Sequence, residues 1–304
     1  MAFAAFGSSN APAAAKPTRS GKVVIALLAP GLAYLGAFFL TPLFALIMVS
    51  LEVPDPTGGY AEYVPAFEIG NYLYVIGEYL PHILRSFGYA LAATVLALLI
   101  SYPLAYFIGV KARPRPLLQK LMLTLVIAPF FISFLLRTLA WKQIFSNESW
   151  IVSSLHDIGL LAPTQYVVGT PFMVIFGLTY NFIPFMTLPL YTSLERLDLR
   201  YLEAGSDLYA SPTKVFRKVT LPLSMPGIIS GTLLTFIPIA GDYINASGDF
   251  LGSSSTSMIG NVIESNYLQI NDYPSASALS VLLMGVILVL VTFYVKKSGT
   301  EDLL

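Results

Sequence analysis

Long stretches without a charged residue divide this chain into apolar segments of membrane-spanning length. A helix that crosses the hydrocarbon core of a bilayer needs about 20 apolar residues, and a charge buried there costs several kcal/mol. Arg137 falls inside one such segment, where a long side chain near a helix end can reach the interface. The pattern predicts an all-α membrane protein with six transmembrane helices. The predicted spans are 23–51, 86–110, 119–140, 166–192, 219–241 and 273–295.

The composition supports the same class of protein. Hydrophobic residues make up 56% of the 304 positions and charged residues only 11%, whereas soluble domains carry about 25% charge. The formal net charge of zero leaves no basic excess for nucleic-acid binding. With no cysteine and only two histidines, the sequence excludes thiolate metal sites and a histidine-rich metal cage. We therefore predict no metal and no nucleic acid.

The positions of the charges predict the orientation in the membrane. Most Lys and Arg residues lie in the N-terminal tail, the 111–120 loop, the 195–218 segment and the C-terminal tail. Because basic loops stay in the cytoplasm, both termini are predicted to be cytoplasmic in a multi-pass inner-membrane protein. Residues 1–22 lack a packable apolar pattern and are predicted to be disordered. The six-helix membrane domain then covers 23–298, and a short cytoplasmic tail covers 299–304.

The chain lacks the motifs of nucleotide hydrolysis and of common hydrolases. It has no G-x-x-x-x-G-K-[ST] phosphate loop, no H-E-x-x-H and no G-x-S-x-G. No convergent set of catalytic groups lies at one predicted depth, so we expect a chain without catalytic residues. Any ATP must be bound and used by a partner.

A pair of short helices is predicted between the fourth and fifth spans. The segment Thr192-Ser193-Leu194-Glu195 has the spacing of a capping box and predicts the start of a helix. Leu197, Tyr201, Ala204 and Leu208 then form an apolar stripe, and Ser211-Pro212 predicts a second helix start. Such a pair can lie on lipid headgroups, pack under the bundle or dock into a groove of another protein.

The same segment carries a resemblance to a known family. Glu203-Ala204-Gly205, followed by Leu221-Pro222, resembles the EAA loop of ABC-importer permeases, whose consensus is Glu-Ala-Ala, three residues, Gly, nine residues and Ile-x-Leu-Pro. In that family the loop, here about 195–222, is the coupling helix pair that sits in a cleft of the ATPase. The resemblance implies that Glu203 couples to the ATPase, with Ala204, Gly205, Leu208 and Tyr209 forming the docking surface. Gly205 and Tyr209 depart from the consensus, which has Ala and Gly there.

Further segments resemble the spermidine/putrescine permeases of this family. They are Ala128 to Trp141, Phe236 to Tyr243, Met258 to Ile263 and Asn271 to Pro274. The resemblance implies the type I importer permease fold and ATP-driven polyamine import. The implied partners are an ABC ATPase dimer that binds ATP and Mg, a second permease subunit, homologous or identical, and an extracytoplasmic solute-binding protein. Iron, sulfate and thiamine importers share this architecture and remain alternatives, and an ion-driven secondary transporter is a further one.

Four residues are candidates for the substrate pathway. Asp242 follows about 20 residues of the fifth span, which places its carboxylate near the outer mouth. There it can attract ammonium groups, with Tyr243 supplying cation–π contact. The alternative is a structural ion pair between Asp242 and Arg137. Arg137 can equally act in gating or as an interfacial anchor, and Phe134 can narrow a pore or pack in the bundle.

Overall fold

The computed structural model describes residues 21–162 and 164–297. The described residues up to Leu46 form one compact unit, and the described residues from Ile47 onward form a second. Nearly all of the predicted tail 1–22 and the whole of the predicted tail 299–304 lie outside the described residues.

The described part of the chain is built from α-helices with one small hairpin. The hairpin pairs β1 (Val53–Pro54) with β2 (Tyr63–Val64) in antiparallel register. The helices are α1 (Gly21–Leu35), α2 (Thr41–Val49), α3 (Gly70–Tyr106), α4 (Pro116–Ile127), α5 (Phe134–Ile144), α6 (Trp150–Asp157), α7 (Pro171–Glu195), α8 (Arg200–Asp207), α9 (Pro212–Val215), α10 (Leu221–Leu223), α11 (Met225–Ala240), α12 (Ile259–Ser265) and α13 (Tyr273–Lys297).

These helices give the number of membrane spans expected from the sequence. Four continuous helical stretches are long and apolar enough to cross a membrane, and two bent helix pairs raise the number to six if each pair is one span. The four stretches are Val24–Val49, Gly70–Lys111, Pro171–Glu195 and Tyr273–Lys296. The bent pairs are Pro116–Phe131 with Phe134–Ile144, and Pro212–Leu223 with Met225–Ala240.

The second span is much longer than the sequence predicted. The predicted start was residue 86, but the helix begins at Gly70 and runs for 42 residues to Lys111. At about 1.5 Å per residue this is roughly twice the hydrocarbon thickness of a bilayer. The absence of charge marks only the apolar part of a helix, so the charged turns around Glu78 and Arg85 were wrongly left outside it.

The third and fifth spans are broken, whereas the sequence predicted continuous helices. In the third, Ile132 and Ser133 are extended and the two halves meet at 93°. In the fifth, the halves meet at 64° around Ser224. Pro129 precedes the first break, and Pro222 and Pro226 flank the second, where each removes a backbone donor from the helix.

The second, fourth and fifth spans pack closely around small residues. Ala90 and Ala93 of α3 belong to one buried cluster with residues of α7 and α11. Gly227 and Gly231 of α11 allow the closest approach to α7, since a Cβ at Gly231 would lie 3.0 Å from the carbonyl oxygen of Met186. The G-x-x-x-G pair of the fifth span therefore makes its contact within this chain.

Candidate functional site

The coupling segment, residues 195–222, begins differently from the sequence prediction. Residues 192–195 form the last turn of α7, and the Thr192 hydroxyl donates to the carbonyl of Leu188. The predicted capping box at Thr192 is therefore wrong. Helix α8 begins at Arg200, whose backbone N–H donates to the Asp198 carboxylate at 3.0 Å.

Helix α8 presents most of the predicted docking residues to the exterior. Leu199 and Leu202 pack against the cluster formed by the ends of α3 and α7. Glu203 and Ala204 are exposed, and the tip of the segment is the most exposed part, with Leu208 at 81% and Tyr209 at 98%. The segment thus has one face fixed to the bundle and one face without a contact in this chain.

Gly205 lies on the inner side of the helix pair. A Cβ at this position would lie 2.9 Å from Cγ2 of Val215 on α9. The departure from the consensus alanine therefore has a packing reason, because Val215 occupies the space that the methyl group would need. Gly205 therefore allows α8 and α9 to approach each other.

Tyr209 occupies the turn position where the consensus has glycine. Its φ is +54°, in the left-handed region that favours glycine. The backbone therefore keeps the turn that the consensus glycine serves, and a tyrosine adopts it with strain. Helix α9 then begins at Pro212 as predicted, and the helical stretch continues through Leu223.

Arg113 holds the start of the coupling segment, and the sequence analysis missed this residue. Its Nη1 donates to the carbonyl of Leu197 at 3.0 Å, and its Nη2 donates to those of Leu194 and Glu195 at 2.9 and 2.6 Å. Its Nε donates to the carbonyl of Gly109 at 3.0 Å. One guanidinium thus joins the end of the second span to the last carbonyls of the fourth. Arg113 lies in a loop with several other basic residues, so its local sequence carries no signal of this role.

A second group of polar side chains is buried on α5, on α7 and in the loop after α11. Asn181 of α7 donates through Nδ2 to the Thr138 hydroxyl at 3.2 Å and to Asn245 Oδ1 at 3.1 Å. Asn245 donates through its backbone N–H and its Nδ2 to the two carboxylate oxygens of Asp242, at 2.8 and 3.0 Å. We call Thr138, Asn181, Asp242 and Asn245 the buried polar network.

The structure tests how the four pathway candidates are arranged. Within the described residues, Arg137 and Asp242 form no ion pair, and the Asp242 carboxylate is instead engaged by Asn245. Arg137 is 9% exposed, lies 5.8 Å from the centroid of the Phe134 ring, and has buried Nε and Nη1 atoms without a hydrogen-bond partner. Phe134 packs edge-on against Phe182. Tyr243 is about half exposed and does not share the buried position of Asp242.

Burial also changes the acidity of Asp242, which lies beyond the end of α11. Desolvation raises the pKa of this carboxyl group to about 6, against the lowering effect of the hydrogen bonds from Asn245. The group is therefore a buried acid whose pKa lies above the usual value of an aspartate. Across the described ranges, no three His, Asp or Glu side chains form a group that could hold a metal ion.

The amino-acid sequence of this chain is similar to those of known transport proteins. Residues 101–297 match the family model described as binding-protein-dependent transport system inner membrane component. The spermidine/putrescine transport system permease protein PotB of Haemophilus influenzae is 34% identical over 274 residues, which cover 90% of this chain and 92% of that protein. The protein of the same name from Escherichia coli K12 is 37% identical over 227 residues, covering 73% and 80%.

Solved structures share the fold. A bacterial ABC transporter that imports the acidic polysaccharide alginate contains a chain that aligns with a TM-score of 0.67 at 17% identity, covering 92% of this chain and 96% of that one. A chain of the MetNI methionine ABC transporter aligns with a TM-score of 0.52 at 16% identity, covering 75% and 94%. The fold is therefore the all-α fold of ABC-importer permeases, as the sequence predicted.

Proposed function

The chain belongs to the family of binding-protein-dependent transport system inner membrane components, and we propose that it is the permease subunit of an ATP-driven polyamine importer. Spermidine and putrescine are the solutes named for its relatives, which match it over most of their length. As a transport permease subunit it has a non-catalytic role in a multi-pass inner-membrane assembly.

The observation that carries this proposal is the form of the coupling segment. It is fixed to the bundle through Arg113, Leu199 and Leu202, yet its tip at Leu208 and Tyr209 is an apolar surface without a contact in this chain. An exposed apolar tip on a firmly held helix pair favours docking to another protein. An ion-driven secondary transporter has no need for such a surface.

The proposed assembly contains an ABC ATPase dimer, a second permease subunit and an extracytoplasmic solute-binding protein. The ATPase supplies the site for ATP and Mg, and this chain holds neither. Both termini and the coupling segment lie on the cytoplasmic side, where the basic loops cluster. Glu203, Ala204, Leu208 and Tyr209 contact the ATPase, and Gly205 acts through its packing on Val215.

The pathway residues are part of the same proposal. Asp242, Tyr243, Arg137 and Phe134 lie along or beside the route of the solute. The engagement of Asp242 by Asn245 favours a role in shaping the outer mouth over direct binding of an ammonium group.

The experiment is labelled spermidine uptake by the complete complex in vesicles, with and without vanadate. We expect vanadate-sensitive uptake that Glu203→Arg lowers at least tenfold with normal insertion, because the reversed charge disrupts ATPase docking. Glu148→Arg, the same exchange at an exposed position outside the coupling segment, serves as the control and is expected to leave uptake unchanged. Normal uptake by the Glu203→Arg variant would contradict the coupling role. ATPase activity stimulated by iron, sulfate or thiamine instead of spermidine would contradict the polyamine assignment alone.

A further inference from the structure

The second span touches the coupling segment at two places. Arg113, just after the end of this span, holds the start of the segment through three backbone carbonyls. Eleven residues earlier, on α3, the hydroxyl of Tyr102 lies 2.8 Å from Oγ of Ser224, which follows the end of the segment. Both side chains are buried, with Tyr102 9% exposed and Ser224 fully enclosed. This second contact joins two polar groups inside an otherwise apolar cluster.

The direction of the hydrogen bond follows from the proton count at Ser224. Its Oγ also donates to the carbonyl of Leu221 at 3.0 Å. Because a serine hydroxyl has only one hydrogen, the Tyr102 hydroxyl is the donor and Ser224 Oγ the acceptor between them. Two successive bonds therefore run from Tyr102 through Ser224 to Leu221, and they end on the Leu221-Pro222 pair that closes the coupling segment.

Ser224 is the joint at which the two halves of the fifth span meet at 64°. Its N–H donates to the carbonyl of Thr220 at 3.0 Å, and its own carbonyl accepts from the N–H of Ile228 at 3.1 Å. One residue thus ends α10 and starts α11. Beyond the joint, α11 lies directly against α7, since a Cβ at Gly227 would be 2.8 Å from a backbone carbonyl oxygen of that helix. What remains to be fixed is the side before the joint, where Tyr102 makes its hydrogen bond.

The surroundings of the joint leave room for it to shift. An open cleft of about 740 Å³ lies beside it and is lined in part by Leu223 and Pro226, the neighbours of the joint on either side. The ring of Tyr102 packs edge-on against Phe216, with 5.5 Å between the ring centroids. Apolar contact of this kind is not directional, whereas a hydrogen bond is restricted in both length and angle. The hydroxyl of Tyr102 therefore fixes a position that ring packing alone does not.

We propose that Tyr102 is a positioning residue for coupling, and that its hydrogen bond to Ser224 fixes the joint through which the coupling segment acts on the fifth span. With Arg113, it ties both ends of the segment to the second span. Without this bond, the segment can shift at the joint while α11 stays against α7. ATP hydrolysis by the partner is then less tightly linked to movement of the solute. The inference rests on the proposed function, which supplies the ATPase and the solute.

The test compares variants that remove the two hydroxyls singly and together. Tyr102→Phe removes one oxygen atom and keeps the ring that packs on Phe216, and Ser224→Ala removes the acceptor. Tyr106→Phe is the matched control, because Tyr106 lies one turn further along α3 against the same apolar cluster, and its hydroxyl has no hydrogen-bond partner among the described residues. The complete complex is studied in vesicles with the loaded binding protein. The quantity measured is the number of labelled spermidine molecules imported per ATP hydrolysed.

We expect Tyr102→Phe to lower this ratio about fivefold, the factor that corresponds to the loss of one buried hydrogen bond. Ser224→Ala should lower it at least as much. The double variant should be no worse than Ser224→Ala, because both changes act through the same bond. Tyr106→Phe should leave the ratio unchanged. A residue that only stabilised the fold would lower uptake and ATP hydrolysis in proportion, through the amount of active complex, and the ratio would stay constant.

An unchanged ratio in Tyr102→Phe, in a system whose wild-type uptake is vanadate-sensitive, would overturn this inference and leave the proposed function in place. Additive losses, with the double variant about fivefold below Ser224→Ala, would also overturn it, because the two hydroxyls would then act independently. A wild-type complex without vanadate-sensitive uptake would overturn the proposed function and this inference together.

Discussion

Arg113, at the start of the coupling segment, and Arg137, next to the buried polar network, differ in how many of their hydrogen-bond donors have a partner. Arg113 is half-buried and uses all three of its nitrogens on four backbone carbonyls. Arg137 is almost fully buried and leaves Nε and Nη1 unpaired. An unpaired buried charge is costly. The region around Arg113 therefore has its charged donors fully paired, whereas the region around Arg137 does not.

The region around Arg113 is the one from which the coupling segment extends. In the proposed importer, a docking element transmits force only if its base is held in place, and Arg113 ties this base to the ends of two spans. The buried polar network has the opposite character, since its hydrogen bonds run between side chains on three separate elements. Such bonds are individually weak in membrane proteins, about 1 kcal/mol or less, so each one alone adds little to the stability of the fold.

The largest effect is expected from Arg113→Ala. The variant leaves the carbonyls of Leu194, Glu195 and Leu197 without their charged donor, which should lower the free energy of unfolding by about 3 kcal/mol. Thermal melting in detergent measures this loss of stability, with Arg113→Lys as the comparison variant. The parallel change Arg137→Met removes an unpaired charge and should leave stability equal or higher. Equal losses in the free energy of unfolding for Arg113→Ala and Arg137→Met would show that the two arginines do not differ in their contribution to stability.

A smaller effect, and one that depends on pH, is expected at Asp242. Burial raises its pKa from 3.8 to about 6, so between these values the folded chain binds more protons than the unfolded chain. Stability should therefore fall by on the order of 2 kcal/mol as pH rises from 4 to 6, then level off. Asp242→Asn should flatten this part of the profile. An unchanged slope in the variant would show that another group is responsible.

The smallest effect is expected from Tyr209→Gly. Glycine adopts the left-handed conformation at φ +54° without strain, so the coupling segment should gain about 1 kcal/mol. The same change removes an exposed ring from the docking surface and should weaken association with the ATPase. A pull-down of the ATPase, read beside the melting temperature, separates the two effects. A loss of stability would mean that the Tyr209 ring supports the turn.

The comparison also shows which parts of a membrane protein are readable from sequence. Six apolar segments and the coupling segment were predicted, because hydrophobicity and short sequence motifs depend on residues that are close together in the chain. The extension of α3 to Gly70 was missed because the charges at Glu78 and Arg85 ended the apolar pattern but not the helix. The breaks at Ser133 and Ser224 were missed because prolines are common inside spanning helices and do not by themselves locate a bend.

The candidate residues also divide into those that a local motif predicts and those that only the tertiary structure shows. Glu203, Ala204, Leu208 and Tyr209 could be named from their positions in a local motif, and the structure leaves them exposed as a docking surface requires. Asp242 and Arg137 were singled out as charges near the membrane, but neither the engagement of Asp242 by Asn245 nor the unpaired Nε and Nη1 of Arg137 was predicted. Arg113 and Asn181 were missed, since a basic loop residue and a lone amide carry no local signal.

The sequence by itself determined that this chain is a helical membrane protein with a pair of short helices between its fourth and fifth spans. These properties depend on hydrophobicity and on residues close together in the chain. Only the tertiary structure decided that Arg113 holds the end of the fourth span, that Gly205 yields to Val215, and that Asn181 reaches both Thr138 and Asn245. Such contacts join residues 10 to 84 positions apart, and their geometry depends on how helices pack and bend.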